Sequence, residues 1–272
     1  MRALAYFAVG ALIAQSGVLW ASQTELAPGF EIAAKVSSNV GVFHLYTWRL
    51  QRNGDAASAV IELILVTAEE KHTQARIQPV LQRGSAVSLY APLLCPGAFV
   101  VTNGSFYTRN GDKSAPLGLV RSGGKTLSEI SQRRSGGFLM IDSGKIRIVP
   151  RSASARALAA TDAIESSPII VLEGENDMRS DDGVRFDRVA LGTTSNKQTV
   201  VIGAFGDNQD SITLFEFSAL ARAAVGATGD RLSNLLAMDG GPSAHIYLPS
   251  TRRLYGYRGG AYLPNAICMG PR

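Results

Sequence analysis

An acid stands at the end of an apolar run in LLAMDGGPSAHIYLP, residues 235–249. Leu236, Ala237 and Met238 lead into a core, so Asp239 is expected at its rim, where a half-buried carboxylate needs a charge or hydrogen-bond partner. Gly240 and Gly241 permit positive φ and close backbone approach, and their N–H groups could form an anion-binding nest. Ser243 and His245 follow two apart on what reads as a strand, on one face. A carboxylate so placed can stabilise or attack an electron-poor carbon. A serine hydrolase built on Ser243 and His245 is the other catalytic reading, although neither G-x-S-x-G nor an evident orienting acid accompanies the pair. A β-turn capped by Asp239 explains the same residues without chemistry.

Three further stretches carry polar side chains at the ends of apolar runs. In VVTNGSFYTRNGD, residues 100–112, Asn103 and Ser105 offer hydrogen bonds at a strand end, and Phe106 and Tyr107 offer faces suited to sugar rings or bases. In DRVALGTT, residues 187–194, Arg188 stands among apolar neighbours, and a buried guanidinium seeks a carboxylate or phosphate in bidentate geometry. In AIESSPIIVLEG, residues 163–174, Glu165 closes an expected helix just before a strand, so its carboxylate can reach the strand-end face. Each stretch alone also fits a solvated turn, a surface ion pair or an ordinary helix end. The three histidines (His44, His72 and His245) are scattered, and no C-x-x-C, H-E-x-x-H or EF-hand spacing occurs, so no metal or other cofactor is expected.

The elements that must position these residues read mostly as strands. Val40–Gln51 and Ala59–Thr67 flank an Asn-Gly-Asp turn signal as an antiparallel pair. GGFLMIDSGKIRIVP, residues 136–150, is the best hairpin, turning on Asp142-Ser143-Gly144. Arg188–Thr194 and Thr199–Phe205 form another, and Val87–Leu94 is a short strand candidate. Residues 108–135 read as a long polar excursion. Ala-rich Arg151–Glu165 is expected as helix, as are Ser218–Gly226, with Ser218 as N-cap, and a turn at Asp230–Leu235. The fold class expected is α+β, a mixed and largely antiparallel sheet with a few helices packed on it.

The chain has 272 residues, 46% hydrophobic and 18% charged, which is ample for a core. MRALAYFAVGALIAQSGVLWAS reads as a secretory signal peptide ending near Ala21, which leaves residues 22–272 as one exported domain, periplasmic or secreted, with no stable membrane span after cleavage. Cys95 and Cys268 would then meet an oxidising compartment, where they can bridge or remain two buried thiols. A net charge of +5 without a basic-aromatic run excludes an evident nucleic-acid surface.

The stretches have an order. Asn103-Gly104-Ser105-Phe106-Tyr107, Pro116-Leu117-Gly118, Gly136-Gly137-Phe138-Leu139, Glu165 three before Pro168, Arg188 four before Gly192, and Met238-Asp239-Gly240-Gly241-Pro242-Ser243 form a serial pattern. This pattern, with PNAICMGPR as a closing strand, resembles the phosphodiester glycosidase family over roughly residues 95–270. Glu165 and Ser167-Pro168 stand where that family often has Gln and Gly-Pro, and Phe106-Tyr107 where it usually has Phe-Phe. The resemblance implies hydrolysis at the glycosidic C–O bond of a sugar-phosphate diester, in a cell-envelope or exopolysaccharide glycan. It implies Asp239 as the first choice of catalytic carboxylate and Glu165 as the second. Arg188 would bind the phosphate, helped by the Gly240 and Gly241 amides, while Asn103, Ser105 and Ser243 orient substrate hydroxyls or acidic neighbours. The alternative is a non-catalytic glycan-binding or envelope-assembly protein.

Overall fold

The computed structural model describes residues 25–53, 60–79, 95–110, 113–206, 212–256 and 263–272. The expected leader, residues 1–21, and the 87–94 strand candidate lie outside them. The first strands are β1 (Glu25–Ala27), β2 (Phe30–Val40), β3 (Phe43–Arg52), β4 (Ile61–Glu69) and β5 (Thr73–Pro79). Next come β6 (Val100–Asn103), β7 (Tyr107–Asn110), β8 (Lys113–Pro116), β9 (Val120–Ser122) and β10 (Lys125–Ser128). The hairpin of β11 (Gly137–Asp142) and β12 (Lys145–Pro150) leads to α1 (Ser154–Ala159), β13 (Asp162–Ser166), β14 (Ile169–Leu172) and β15 (Glu175–Asn176). The chain continues through β16 (Arg188–Thr194), β17 (Gln198–Phe205), α2 (Leu214–Gly226) and β18 (Leu232–Ala237). It closes with β19 (His245–Leu248), β20 (Arg253–Gly256) and β21 (Asn265–Pro271).

Nine strands form one sheet in the order β1-β2-β3-β4-β17-β16-β18-β14-β15, and two five-stranded sheets run β10-β9-β13-β11-β12 and β20-β19-β6-β21-β5. The two-residue periodicity of a strand sorts the central residues of the large sheet onto its two faces. Leu63, Leu65, Ala190, Val200, Ile202 and Leu235 face Phe217, Leu220, Ala221 and Ala224 of α2. Their neighbours Ile64, Val66, Leu191, Val201 and Leu236 face the smaller sheets, meeting Leu139, Ile148, Ile164, Ile246 and Ile267. That is why β4 reads as a nearly continuous apolar run: both of its faces are covered. The β11 sheet repeats the arrangement on a smaller scale, with Phe138, Met140 and Ala163 turned outward onto Ala157 of α1.

Every pairing between these strands is antiparallel, so the fold is predominantly β and only loosely α+β, with two α-helices among the described residues. The hairpins at 136–150 and 188–205 form as expected, and the first turns through left-handed Ser143 and Gly144. Other expectations are corrected. The 151–165 helix is limited to α1, because Asp162–Ser166 pairs with β11 and β9 and buries Ala163 and Ile164; sheet formation overrides alanine-rich propensity. Asp230–Leu235 is no helical turn; β18 lies between β16 and β14 in the large sheet. The second long helix begins four residues before Ser218, capped by Thr213 and Glu216 in a reciprocal capping box, and Ser218 instead donates to Asn176 Oδ1 at 2.8 Å. The 108–135 excursion holds the β7–β8 and β9–β10 hairpins.

Candidate active site

Asp239 leaves the end of β18 at the pole where β6 also ends and where β16 and β21 begin. Its N–H donates to Gly104 O at 3.3 Å, and its carbonyl accepts from Asn103 Nδ2 at 2.8 Å. Asn103 Oδ1 accepts the His245 N–H at 3.0 Å, so one buried amide ties β6 to both sides of the acid's turn. Behind it, Asn265 at the start of β21 clasps Ser105: its Oδ1 accepts the Ser105 N–H at 2.9 Å and its Nδ2 donates to Ser105 Oγ at 2.7 Å. Gly104 makes room for this clasp, since a Cβ there would lie 1.8 Å from Asn265 Oδ1.

The Asp239 carboxyl is half-buried, and burial pushes its pKa up to about 6 against the pull of the Ser243 hydroxyl, the Gly240 N–H and the Arg133 charge. The Gly241 amide is committed, which takes it out of the nest expected of the two glycines. The Gly241 N–H donates to Asp187 O at 2.9 Å. Gly241 takes a φ of +59° to make that turn. Ser243 sits in a one-turn 3-10 helix, Gly241–Ser243, rather than on a strand. Its hydroxyl helps hold down the Asp239 pKa, while His245 Nδ1 lies 2.8 Å from the Ser243 carbonyl and must carry the proton there. No Ser–His hydroxyl pair forms, so the serine-hydrolase arrangement is absent from this turn.

Arg188 opens β16 on the Gly240 side of the turn. A Cβ at Gly240 would stand 3.1 Å from Asp187 O and 3.6 Å from Arg188 Nη1, which places the guanidinium beside the hinge. Arg188 donates through Nη2 to Val184 O at 2.8 Å and through Nε to Ile212 O at 3.4 Å, and it lies over the Phe186 ring at 5.4 Å. Burial lowers its pKa, with Asp182 and Asp187 opposing that shift. Nη1 has no hydrogen-bond partner among the described residues. A second guanidinium was missed in the sequence. Arg133 stacks 4.8 Å over Phe106 and is the cation that acts on Asp239. Asn265 was missed as well; the signal for it was an asparagine opening the last strand, in Pro-Asn-Ala-Ile-Cys.

Glu165 is turned another way. Residues 164 and 166 point toward the acid's turn: Ile164 Cδ1 lies 3.0 Å from where a Gly104 Cβ would stand, and Ser166 Oγ donates to Ala237 O at 2.6 Å. Glu165, on the opposite face of β13, accepts from the Leu119 N–H at 3.0 Å, the Ser131 N–H at 2.9 Å, the Ser131 hydroxyl at 2.5 Å and Arg151 Nη1. Burial opposes its ionisation, but the Ser131 and Leu119 hydrogen bonds and the Arg151 charge outweigh burial and hold the carboxyl below its ordinary range. Ser131 Oγ in turn accepts the Arg133 N–H at 3.1 Å. The knot around Glu165 therefore sets the backbone that presents Arg133. Replacing Glu165 with Gln should cost about 2–4 kcal/mol by urea unfolding and raise KM, with kcat falling less than about tenfold. A drop of 10³-fold or so in kcat at unchanged stability would instead make Glu165 catalytic.

Among the described residues no group of three or more His, Cys, Asp and Glu is gathered to hold a metal ion, and no helix is long and apolar enough to cross a membrane. Cys95 and Cys268 form a disulfide with Cα atoms 5.8 Å apart, which resolves the two alternatives for that pair.

Among solved structures the chain is similar to the catalytic domain of zebrafish N-acetylglucosamine-1-phosphodiester alpha-N-acetylglucosaminidase auto-inhibited by its pro-peptide. The TM-score is 0.64 at 12% identity, over 89% of this chain and 88% of that one. It is also similar to a hypothetical protein from Synechocystis, with a TM-score of 0.58 at 13% identity, covering 88% of this chain and 64% of the other's length. No curated protein sequence matches the chain. At such identities the likeness shows the fold, and the class comes from the sequence: this is a hydrolase of the glycoside type. More particularly, residues 96–269 match the model of the phosphodiester glycosidase family, and the chain belongs to that family.

Proposed function

We propose that the chain is an exported enzyme that cleaves the glycosidic C–O bond of a sugar-phosphate diester in a cell-envelope or exopolysaccharide glycan. The observation that carries this reading is Asp239, a half-buried acid with a pKa raised to about 6, hinged on glycine with Arg133 acting on its charge and Arg188 beside Gly240. The zebrafish enzyme's name supports a phosphodiester of a sugar, and the Cys95–Cys268 bridge supports an oxidising destination.

In this reading the C1–O bond breaks with its electron pair going to the phosphate oxygen, and water supplies the hydroxyl that joins C1. The departing phosphomonoester has a second pKa of about 6, so it leaves without a strong general acid. What the transition state needs is negative charge beside the sugar ring, where oxocarbenium character develops. Ionised Asp239 supplies it, either as electrostatic partner or as nucleophile. Arg188 meets the phosphate through its uncommitted Nη1, and Arg133 on the Phe106 face adds a second cation. Asn103, Ser105 and Asn265 hold the turn rather than the substrate, their polar atoms being spent on the backbone and on one another. Ser243 keeps the carboxylate oriented.

The test is a panel of glycosyl-1-phosphodiesters, N-acetylglucosamine first, with the released sugar identified. Free sugar and phosphomonoester are expected. The ratio kcat/KM should fall as pH drops through about 6, because the ionised form of Asp239 is the productive one in the free enzyme. Decline on the alkaline side of 6 would recast Asp239 as a proton donor. Binding across the panel without release would leave a glycan-binding protein.

A further inference from the structure

The pole opposite Asp239 carries a second constellation. A cleft of about 880 Å³ opens there between β12, the β16–β17 turn and the 3-10 turn Glu70–His72. Ser233 lines it, six residues before Asp239 along β18, so at about 3.3 Å per strand residue the two places stand about 20 Å apart. Among the described residues the walls bring together Lys71, Lys145, Arg147, Arg156 and Lys197 with two acids, Glu69 and Glu70. Both acids are taken: Lys71 Nζ lies 2.7 Å from Glu69 and Lys145 Nζ 3.8 Å from Glu70. Arg147, Arg156 and Lys197 are exposed and have no acidic partner among the described residues, which leaves the cleft with three uncompensated positive charges.

One of these cations is held in a conformation its side chain disfavours. Lys197 has a φ of +58°, in a turn where Gly or Asn is the relaxed choice. Its carbonyl accepts the Glu70 N–H at 2.9 Å, and its own N–H reaches Thr194 O at 3.1 Å. Thr193, Asn196 and Gln198 add hydroxyls and amides beside the aliphatic Ile146, Ile148 and Val149, and among the described residues no aromatic side chain lines the cleft. Sugar hydroxyls suit such walls. Nucleic-acid bases, which bind single-strand grooves by stacking on aromatic faces, find no platform.

We propose that this cleft is a second binding site, for an anionic segment of a glycan whose phosphate or carboxylate groups meet Arg147, Arg156 and Lys197. The site does not depend on the catalytic reading, since a protein that only binds glycans would use it equally. If hydrolysis does occur at Asp239, the cleft anchors a polymer at a distance of several sugar units.

The test uses the full chain and two variants, Arg147→Glu/Arg156→Glu/Lys197→Glu and Lys197→Gly. The probes are a phosphorylated mannan, the same mannan dephosphorylated, polygalacturonate and a single-stranded oligonucleotide. The parent protein should bind phosphorylated mannan or polygalacturonate, the two arms separating phosphate from carboxylate recognition, and its affinity should fall as salt rises. Charge reversal should weaken binding by at least about tenfold while turnover of a small glycosyl phosphodiester stays within about twofold. Lys197→Gly should weaken binding and raise the unfolding midpoint together, which separates lost charge from lost fold. Equal binding by the charge-reversed protein, dephosphorylated mannan bound as tightly as the better of the two anionic glycans, or tighter binding to the oligonucleotide would each overturn the proposal. Absence of hydrolysis would overturn only the catalytic reading.

Discussion

Replacing Asp239 with Asn should abolish turnover and, at pH 8, make the protein more stable. The loss of activity is expected to be at least about 10³-fold, because the negative charge that Asp239 offers to an electron-poor anomeric carbon disappears. The gain in stability follows from the direction of the pKa shift. The Asp239 carboxyl titrates at about 6 in the folded chain against an ordinary 3.8, so the folded state holds its proton more tightly. Below 3.8 both states carry the proton and burial adds no penalty; above about 6 both are ionised and the penalty is complete. Two pKa units amount to roughly 3 kcal/mol. Urea unfolding should therefore show Asp239→Asn ahead of the parent by roughly 1–3 kcal/mol at pH 8, with the difference shrinking as pH falls toward 4. An active variant, or one destabilised at pH 8, would remove Asp239 from the role assigned to it.

Breaking the Cys95–Cys268 bridge should cost about 5 kcal/mol, the loop-closure entropy of a separation of 173 residues. That is comparable with the whole stability of many domains, so reduction should move the urea midpoint sharply rather than marginally. Cys95→Ala/Cys268→Ala isolates the effect better than serine would, because both positions are buried among Val101, Tyr247, Leu254 and Ala266, where a hydroxyl would lack partners. Reductant should leave the double variant unaffected. If it also left the parent unaffected, the bridge would contribute nothing to the fold.

Local signals carried some elements further than others. The β11–β12 hairpin was legible because Asp142-Ser143-Gly144 and the alternation in Lys145–Pro150 speak for the same turn and the same face. The convergence of Asn103 with Asp239 was legible only as an order of motifs along the chain, and nothing in either motif states that an amide of one would hold the carbonyl of the other. Glu165 misled because its surroundings are alanine-rich; its strand exists through cross-strand partners at Phe138 and Gly137 that no local window contains. The same distance hid Asn265, which sits 160 positions from the Ser105 it clasps. Arg133 lay unmarked in a polar stretch, and its importance comes from a knot tied by Glu165 and Arg151. The capping box at Thr213 and Glu216 was visible in the residues and passed over in favour of Ser218.

In its own sheet β21 is an interior strand, between β6 and β5, and it brings both the Asn265 clasp and Cys268. The acid's surroundings therefore cannot be completed by anything translated earlier. Until residues 265–271 slot into place, β6 has a bare edge, the Asn103–Ser105 corner lacks its clasp and the cross-link has one sulfur. Competence and covalent locking thus arrive together, on one strand, so a chain in which residues 265–271 have not yet paired would be chemically silent.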